Sequence, residues 1–312
     1  MKKINITVAV SAYNEEENIV RFLKSVLTQK EVGFRISNIW VFSDGSTDKT
    51  VKAANSVKSS KIKVFNYKKR IGKSDRLNTL YSKLETDILV QSDADVVFAH
   101  PLVIHDLINP LIKNKKVAMC GGHPEPAEGK TFTEKSINLS FEVYAKLRAE
   151  VRGGNNKFSV DGRLLAYKKE LVKKIKVPSD MIANDLFTYF CCITNGYKYR
   201  YVKTAIVTFR SPINLRDHLR QNVRFESAAL RMKKHFSPAL VERETFIPRS
   251  ILLKHLFMNF LKNPIMAIYI FLINQYCRIL SGKKESRLTA VWAMAESTKK
   301  VIYSSFLLFT NV

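Results

Sequence analysis

The chain of 312 residues has few cysteines, few acidic residues and no long apolar run. Its four cysteines, Cys120, Cys191, Cys192 and Cys277, show none of the paired spacings of a zinc site and form no disulfide framework, so a reduced, cytoplasmic setting is expected. The longest apolar run, residues 264–273, would rise only about 15 Å as a helix, roughly half a hydrocarbon core. Prolonging it to Leu280 means burying Asn274, Gln275 and Arg278, so a membrane-surface or re-entrant segment is expected in place of a spanning helix. There is no set of spanning helices from which to build a channel. Met1-Lys2-Lys3 leads straight into a short β-branched stretch that lacks a signal peptide's apolar region, and export is not expected. No internal repeat or low-complexity tract is visible.

The acid deficit is large: 27 Asp and Glu against 52 Lys and Arg leave a formal charge of +25, and a positive field over much of the surface favours anionic partners. Nucleic acid, an acidic lipid surface and the diphosphate of a small substrate all qualify. Nucleic acid is the weakest of the three, because zinc-finger spacing and a glycine-aromatic RRM signature are both missing. Asp44, Asp93, Asp95 and Asp185 would also repel a phosphate backbone.

With 46% hydrophobic residues the chain can bury a full core. Short apolar runs at 4–10, 36–42, 62–65 and 88–90 alternate with segments of helical period, which is the βαβ signature of an α/β fold with a mainly parallel sheet. Three of these strands end in small or acidic residues: Ser11-Ala12-Tyr13-Asn14-Glu15, Ser43-Asp44-Gly45-Ser46 and Ser92-Asp93-Ala94-Asp95. Open α/β sheets bind ligands outside the carboxyl ends of their strands, so the three clusters should meet in one crevice. The Gly/Pro-rich stretch 120–129 reads as the seam between a donor half, 1–120, and an acceptor half, 121–235. A long helical pattern over 133–151, a strand-like 158–167 and a helix starting near Asn184 follow. The tail, 236–312, reads as an amphipathic helical region with a basic face.

Asp93 and Asp95, one residue apart on a turn after a buried-looking strand, can reach one hard cation, and Mn²⁺ or Mg²⁺ suits such an oxygen-only site completed by substrate phosphates. Gly72-Lys73, at the start of a helix and after the basic run Lys68-Lys69-Arg70, offers backbone N–H groups and a cation to phosphate. His123 sits in the Gly/Pro stretch, where a structural histidine is the expectation.

Taken together and in order, Ala12-Tyr13-Asn14-Glu15, Asp44-Gly45-Ser46, Gly72-Lys73 with Asn78, Asp93-Ala94-Asp95, Asn184-Asp185 and Gln221-Asn222-Val223-Arg224-Phe225 resemble the motifs of family 2 glycosyltransferases. They extend over about the first 225 residues. The resemblance implies a GT-A fold, a metal-dependent, inverting sugar transfer from a UDP- or GDP-sugar, and roles for particular residues. Ala12, Tyr13, Glu15 and Asp44 would hold the nucleoside, Lys73 would lie near the diphosphate, and Asp93 with Asp95 would bridge nucleotide and metal. Asp185 would be the catalytic base, with Asn184 where the family usually has Glu. Gln221, Arg224 and Phe225 match a Gln-x-x-Arg-Trp motif near acceptor and diphosphate, with Phe for Trp; Gln221 and Arg224 at i and i+3 share a helical face. This motif, the basic surface and the amphipathic tail point to a lipid or lipid-linked acceptor, with the protein peripheral or monotopic on the cytosolic membrane face. A glycan-synthesising enzyme of the same family is the enzymatic alternative.

Overall fold

A computed structural model describes residues 3–289, 291 and 296–299. Eight strands form one sheet: β1 (Ile4–Ala12), β2 (Phe34–Asp44), β3 (Ile62–Tyr67), β4 (Ile88–Asp93), β5 (Val96–Phe98), β6 (Val117–Pro126), β7 (Leu164–Lys168) and β8 (Lys198–Phe209). Their spatial order is β3-β2-β1-β4-β7-β6-β8-β5. The first four strands in that order are parallel, β7 runs antiparallel between β4 and β6, β8 is parallel to β6, and β5 closes the edge antiparallel to β8.

Both faces of the sheet are covered, which is why its central strands read as continuous apolar runs. Alternate residues point to opposite faces. Ile6, Val8 and Val10 of β1 and Ile88 and Val90 of β4 pack with Phe22, Leu23 and Leu107, while Ala9 and Leu89 face a second core with Leu77, Leu80 and Phe190. Each fully buried side chain of this size contributes about 1.5–3 kcal/mol.

The stretch 120–129 is not a turn-rich seam, since residues 120–126 lie inside β6. Gly121 and Gly122 are there because neighbours press on the backbone. A Cβ on Gly121 would lie 2.1 Å from Tyr199 Oη, and one on Gly122 2.5 Å from Leu164 Cδ2. The strand-like segment 158–167 divides into a 3-10 turn, Lys157–Ser159, a loop, and β7, which is an interior strand and not an edge. His123 lies within β6, its Nδ1 2.6 Å from Tyr201 Oη and 2.9 Å from Arg148 Nη2. Burial, then the charges of Arg148 and Lys203, lower its pKa to about 4, consistent with a neutral structural histidine.

After the long helix Phe132–Glu150 and the helix Leu215–Met232, the chain builds two further helices, Arg249–Lys262 and Pro264–Lys284, separated by Asn263. The second is longer than its ten-residue apolar run: 21 residues rise about 31 Å. Two of the polar residues that argued against such length bond the neighbouring helix, Asn274 half-buried and Arg278 exposed. Asn274 Oδ1 accepts from Asn222 Nδ2 at 2.8 Å and Arg278 Nε donates to Glu226 Oε2 at 3.3 Å. By length and composition alone this helix is apolar enough to cross a membrane. Its partner is amphipathic in an inverted sense. His255 and Asn259 are buried, whereas Leu253, Phe257 and Leu261 are each more than 60% exposed.

Candidate active site

The carboxyl ends of β1, β2 and β4 lie side by side, Ala12 opposite Ser43 and Ser11 opposite Asp93. Beyond β1, Asn14 takes a left-handed φ of 54°, a region in which Asn is tolerated because its short side chain bonds locally. Its carboxamide clasps Thr47: Nδ2 donates to Thr47 Oγ1 at 3.1 Å and Oδ1 accepts from Thr47 N at 2.8 Å. Glu15 N donates to Thr50 Oγ1 at 2.7 Å, and its Oε2 accepts from Asn18 Nδ2 at 2.9 Å. Tyr13 presents its ring to the Arg70 guanidinium, 3.8 Å away.

Asp44 ends β2 as a buried anchor. Oδ1 accepts from Arg76 Nε at 2.7 Å and Ile71 N at 3.0 Å, and Oδ2 from Gly72 N at 2.9 Å. Gly72, at φ 98°, makes the turn that brings its N–H to this carboxylate. Lys73 follows as the first residue of the helix Lys73–Ser82, and its Nζ reaches Asp93 Oδ1 at 2.5 Å. Gly45, at φ 71°, lies under the same loop, where a Cβ would stand 2.7 Å from Arg70 N.

Asp93 and Asp95 share one turn. Burial, then the charge of Asp93, raises the pKa of Asp95, against the opposing charges of Arg163 and Lys73. Arg163 is 8% exposed, lies 3.7 Å over the Phe209 ring and grips Asp161 through Nη1 at 2.9 and 3.2 Å. Among the described residues no group of three His, Cys, Asp or Glu is clustered to hold a metal. Two crowded carboxylates nevertheless fit a hard divalent cation, whose charge would relieve their repulsion.

Asp185 opens the helix Asn184–Thr194, its Oδ2 accepting from Gly162 N at 3.1 Å and its Oδ1 from Leu186 N at 2.8 Å. Burial, then the charge of Asp161, raises its pKa, while the Leu186 N–H, Lys73 and Arg224 act in the other direction. A Cβ on Gly162 would be 3.7 Å from both Asp185 Oδ2 and Lys73 Nζ, so the lysine on Asp93 and the Asp185 carboxylate line one crevice. Asn184 is buried and its Oδ1 is 2.9 Å from Ser74 Oγ, which also lies 3.0 Å from Met181 O. One hydroxyl proton cannot serve both acceptors. A consistent network turns the Asn184 amide over, so that its NH₂ donates to Ser74 Oγ and Ser74 donates to Met181 O. This buried neutral contact gives a physical reason for Asn at that position, since a carboxylate would be desolvated there.

The helix Leu215–Met232 presents Arg224 to the same crevice: burial lowers its pKa, and the Asp185 and Asp93 charges oppose that. Gln221 is half-buried one turn earlier, and Phe225 is 46% exposed with its ring 5.2 Å from Arg224 Cζ. The sequence marks the segment 159–163, with Asp161 and Arg163, as resembling the acceptor-side strand of the family, but it assigns no role to Arg76 or Lys157. Arg76 lies in plain view three residues after Lys73.

A family model, glycosyl transferase family 2, matches residues 7–176. The chain belongs to this family. Among solved structures, the glycosyltransferase is similar to the mannosyltransferase PcManGT from Pyrobaculum calidifontis, in complex with GDP-Man and Mn²⁺. The two share 19% identity over 94% of this chain and 77% of that one, with a TM-score of 0.57. It is also similar to glucosyl-3-phosphoglycerate synthase from Mycobacterium tuberculosis, in complex with Mn²⁺, UDP and phosphoglyceric acid, at 20% identity over 72% and 78% of the two chains and a TM-score of 0.49. At these identities the likeness is one of fold, and the mixed, mainly parallel sheet with its flanking helices is the GT-A arrangement. No curated protein matches the chain.

Proposed function

We propose that this glycosyltransferase moves a sugar from a nucleoside-diphosphate donor, UDP- or GDP-linked, to the hydroxyl of a lipid or lipid-linked acceptor, with inversion, at a cytosolic membrane face. The observation that carries the reading is the shared crevice of Lys73, Asp93 and Asp185 described above. Ala12, Tyr13 and Glu15 line the nucleoside side. Asp44, already engaged by three donors, contributes by holding the Gly72-Lys73 turn. Asp93 and Asp95 would hold Mn²⁺ or Mg²⁺, which supplies charge neutralisation for a departing diphosphate when bound. Lys73 leaves Asp93 for the diphosphate oxygens and, with Arg224, stabilises the charge that develops on them. Asp185, with one backbone N–H on each oxygen, keeps lone pairs for the acceptor proton, and a raised pKa makes it a better base than an ordinary carboxylate. Gln221, Arg224 and Phe225 flank the acceptor side.

The membrane reading is supported by the two C-terminal helices. Leu253, Phe257, Leu261, Ile265, Leu272 and Ile279 are each more than 60% exposed, an apolar surface too extensive to be scattered chance. Arg249, Lys283 and Lys284 accompany them, each worth about 1 kcal/mol beside an anionic leaflet.

The test is nucleoside-diphosphate release from a panel of nucleotide sugars, with and without Mn²⁺ or Mg²⁺ and with and without lipid extract, for wild type and Asp185→Asn. Metal-dependent release from one donor, raised by lipid and lost in the variant, is expected. Equal loss of donor affinity and rate in the variant would remove the base assignment, and release indifferent to lipid would remove the lipid acceptor.

A further inference from the structure

Asp161 and Arg163 lie between the two chemical ends of the crevice, and the loop that carries them is tied to both. At one end Ser92 Oγ, next to the Asp93 turn, donates to Arg163 O at 2.6 Å. At the other, Gly162 N donates to Asp185 Oδ2 at 3.1 Å. Between these ties Asp161 accepts three N–H bonds from Arg163, one from the backbone at 3.0 Å and two from Nη1 at 2.9 and 3.2 Å. An ion pair that closes over a single intervening residue makes the segment a rigid strap. Arg163 is fixed in turn by the Phe209 ring beneath its guanidinium.

The two aspartates therefore differ in kind. Asp161 is engaged by a guanidinium and a backbone N–H, both from Arg163. Asp185 has only two backbone donors and no cation in direct contact among the bonds described for it. We propose that Asp161, locked by Arg163, is the positioning residue for Asp185: a fixed negative charge that strengthens Asp185 as a base while the intervening Gly162 N–H aims its carboxylate. The inference rests on the reading of Asp185 as the base. The other groups facing Asp185 are Lys73 from the helix Lys73–Ser82, Arg224 from the helix Leu215–Met232, Lys157 from the 3-10 turn, Tyr167 from β7 and the Leu186 N–H from its own helix. Of these, the three cations and the N–H favour the ionised form, so Asp161 is the principal charge acting against them.

The sign follows directly. A neighbouring negative charge disfavours the ionised carboxylate, so neutralising Asp161 lowers the pKa of Asp185. Asp161→Asn keeps an acceptor for the Arg163 N–H, and Asp161→Glu restores the charge. Two readouts apply to both variants: the acid limb of the kcat–pH profile, and ¹³C carboxyl titration of aspartate-labelled protein with Asp185→Asn identifying the resonance. In Asp161→Asn both should move to lower pH, and in Asp161→Glu both should return towards wild type. An acid limb and a resonance that stay in place in Asp161→Asn would overturn the proposal, as would a fall in kcat with no movement of either, the mark of a merely structural residue. The carboxyl titration reads the effect of Asp161 on Asp185 whether or not Asp185 is the base. Turnover that survives Asp185→Asn would thus sink the base reading separately.

Discussion

Arg76→Leu is the perturbation with the clearest arithmetic. In the wild type the Asp44 and Arg76 side chains are 8% and 5% exposed and joined at 2.7 Å. Arg76 also donates through Nη2 to Lys69 O at 2.6 Å and lies 3.8 Å over the Tyr67 ring. Leucine leaves the Asp44 carboxylate buried with two backbone N–H groups and no cation, and breaking a buried pair from one side costs about 3–5 kcal/mol. Loss of the stack on Tyr67 adds about 0.5–1 kcal/mol. For a chain of this length each kcal/mol corresponds to roughly 2 °C in Tm, so the expected drop is about 7–12 °C. Asp44→Asn in the same background removes the stranded charge and should recover about 1–2 kcal/mol, a coupling that two independent losses would not show.

The same change has a functional signature. Asp44 holds Ile71 N and Gly72 N, so loosening it frees the turn that aims Lys73. Calorimetric titration with UDP and GDP in the presence of Mn²⁺ should show weaker binding in Arg76→Leu than in wild type, and by more than in a surface control such as Lys52→Ala. A Tm within about 2 °C of wild type with unchanged nucleotide affinity would refute both the buried-pair energetics and the idea that Asp44 serves the site through the turn it holds.

Three further outcomes are expected. Gly121→Ala drives a Cβ to 2.1 Å from Tyr199 Oη and should cost about 1–3 kcal/mol in urea unfolding; Tyr199→Phe in the same chain should recover part of it, and equal losses in both backgrounds would count against the close packing. Burial lowers Lys157 to about 8, against the Glu226 and Asp185 charges, so between about pH 8 and 10.5 the unfolded chain holds more protons than the folded one. Stability should therefore rise through that window by an increment that Lys157→Met lacks, which paired urea titrations at pH 8 and 10 would reveal. Arg231, 2% exposed, donates to Asp180 Oδ2 at 3.1 Å, to the Glu285 and Leu288 carbonyls at 2.9 and 3.1 Å, and to the Glu285 carboxylate. Arg231→Met should expose the segment around Glu285 to hydrogen exchange before the sheet, and uniform exchange loss would refute that local reading.

The sheet's first half was legible because strands buried on both faces leave a one-dimensional trace. The runs at 4–10, 36–42, 62–65 and 88–90 all lie within observed strands, and the acidic and small residues at their ends do lie together. Glycine misled at 120–129, where it accommodates Tyr199 and Leu164 against a strand and makes no turn. Composition cannot separate these uses, because Tyr199 and Leu164 lie 78 and 42 positions from the glycines they press on. The sequence marks 159–163 as resembling an acceptor-side strand, but the tie between Asp161 and Arg163 is hidden from it for a related reason. Their mutual pairing is local, but its importance comes from Ser92 and Asp185, 71 and 23 residues from their contacts.

The two C-terminal helices show what periodicity leaves undetermined. A helical period says which residues share a face, but it carries no sign, so it does not say which face is turned inward. In Arg249–Lys262 the inward face is polar: His255 and Asn259 are buried, and Lys254 and Lys262 reach Glu150 and Glu142 of the helix Phe132–Glu150 at 2.8 and 2.6 Å. In Pro264–Lys284 the residues that looked too polar for a long apolar helix, Asn274 and Arg278, are those that bind it to the helix Leu215–Met232. The apolar side chains are left outside as a consequence, not as a defect of packing. Part of that outward surface belongs to Pro264–Lys284, which is fastened to the helix that bears Gln221, Arg224 and Phe225. Any apolar phase it contacts is thereby held in fixed relation to that helix, the geometry the proposed function requires if the acceptor arrives from a lipid surface.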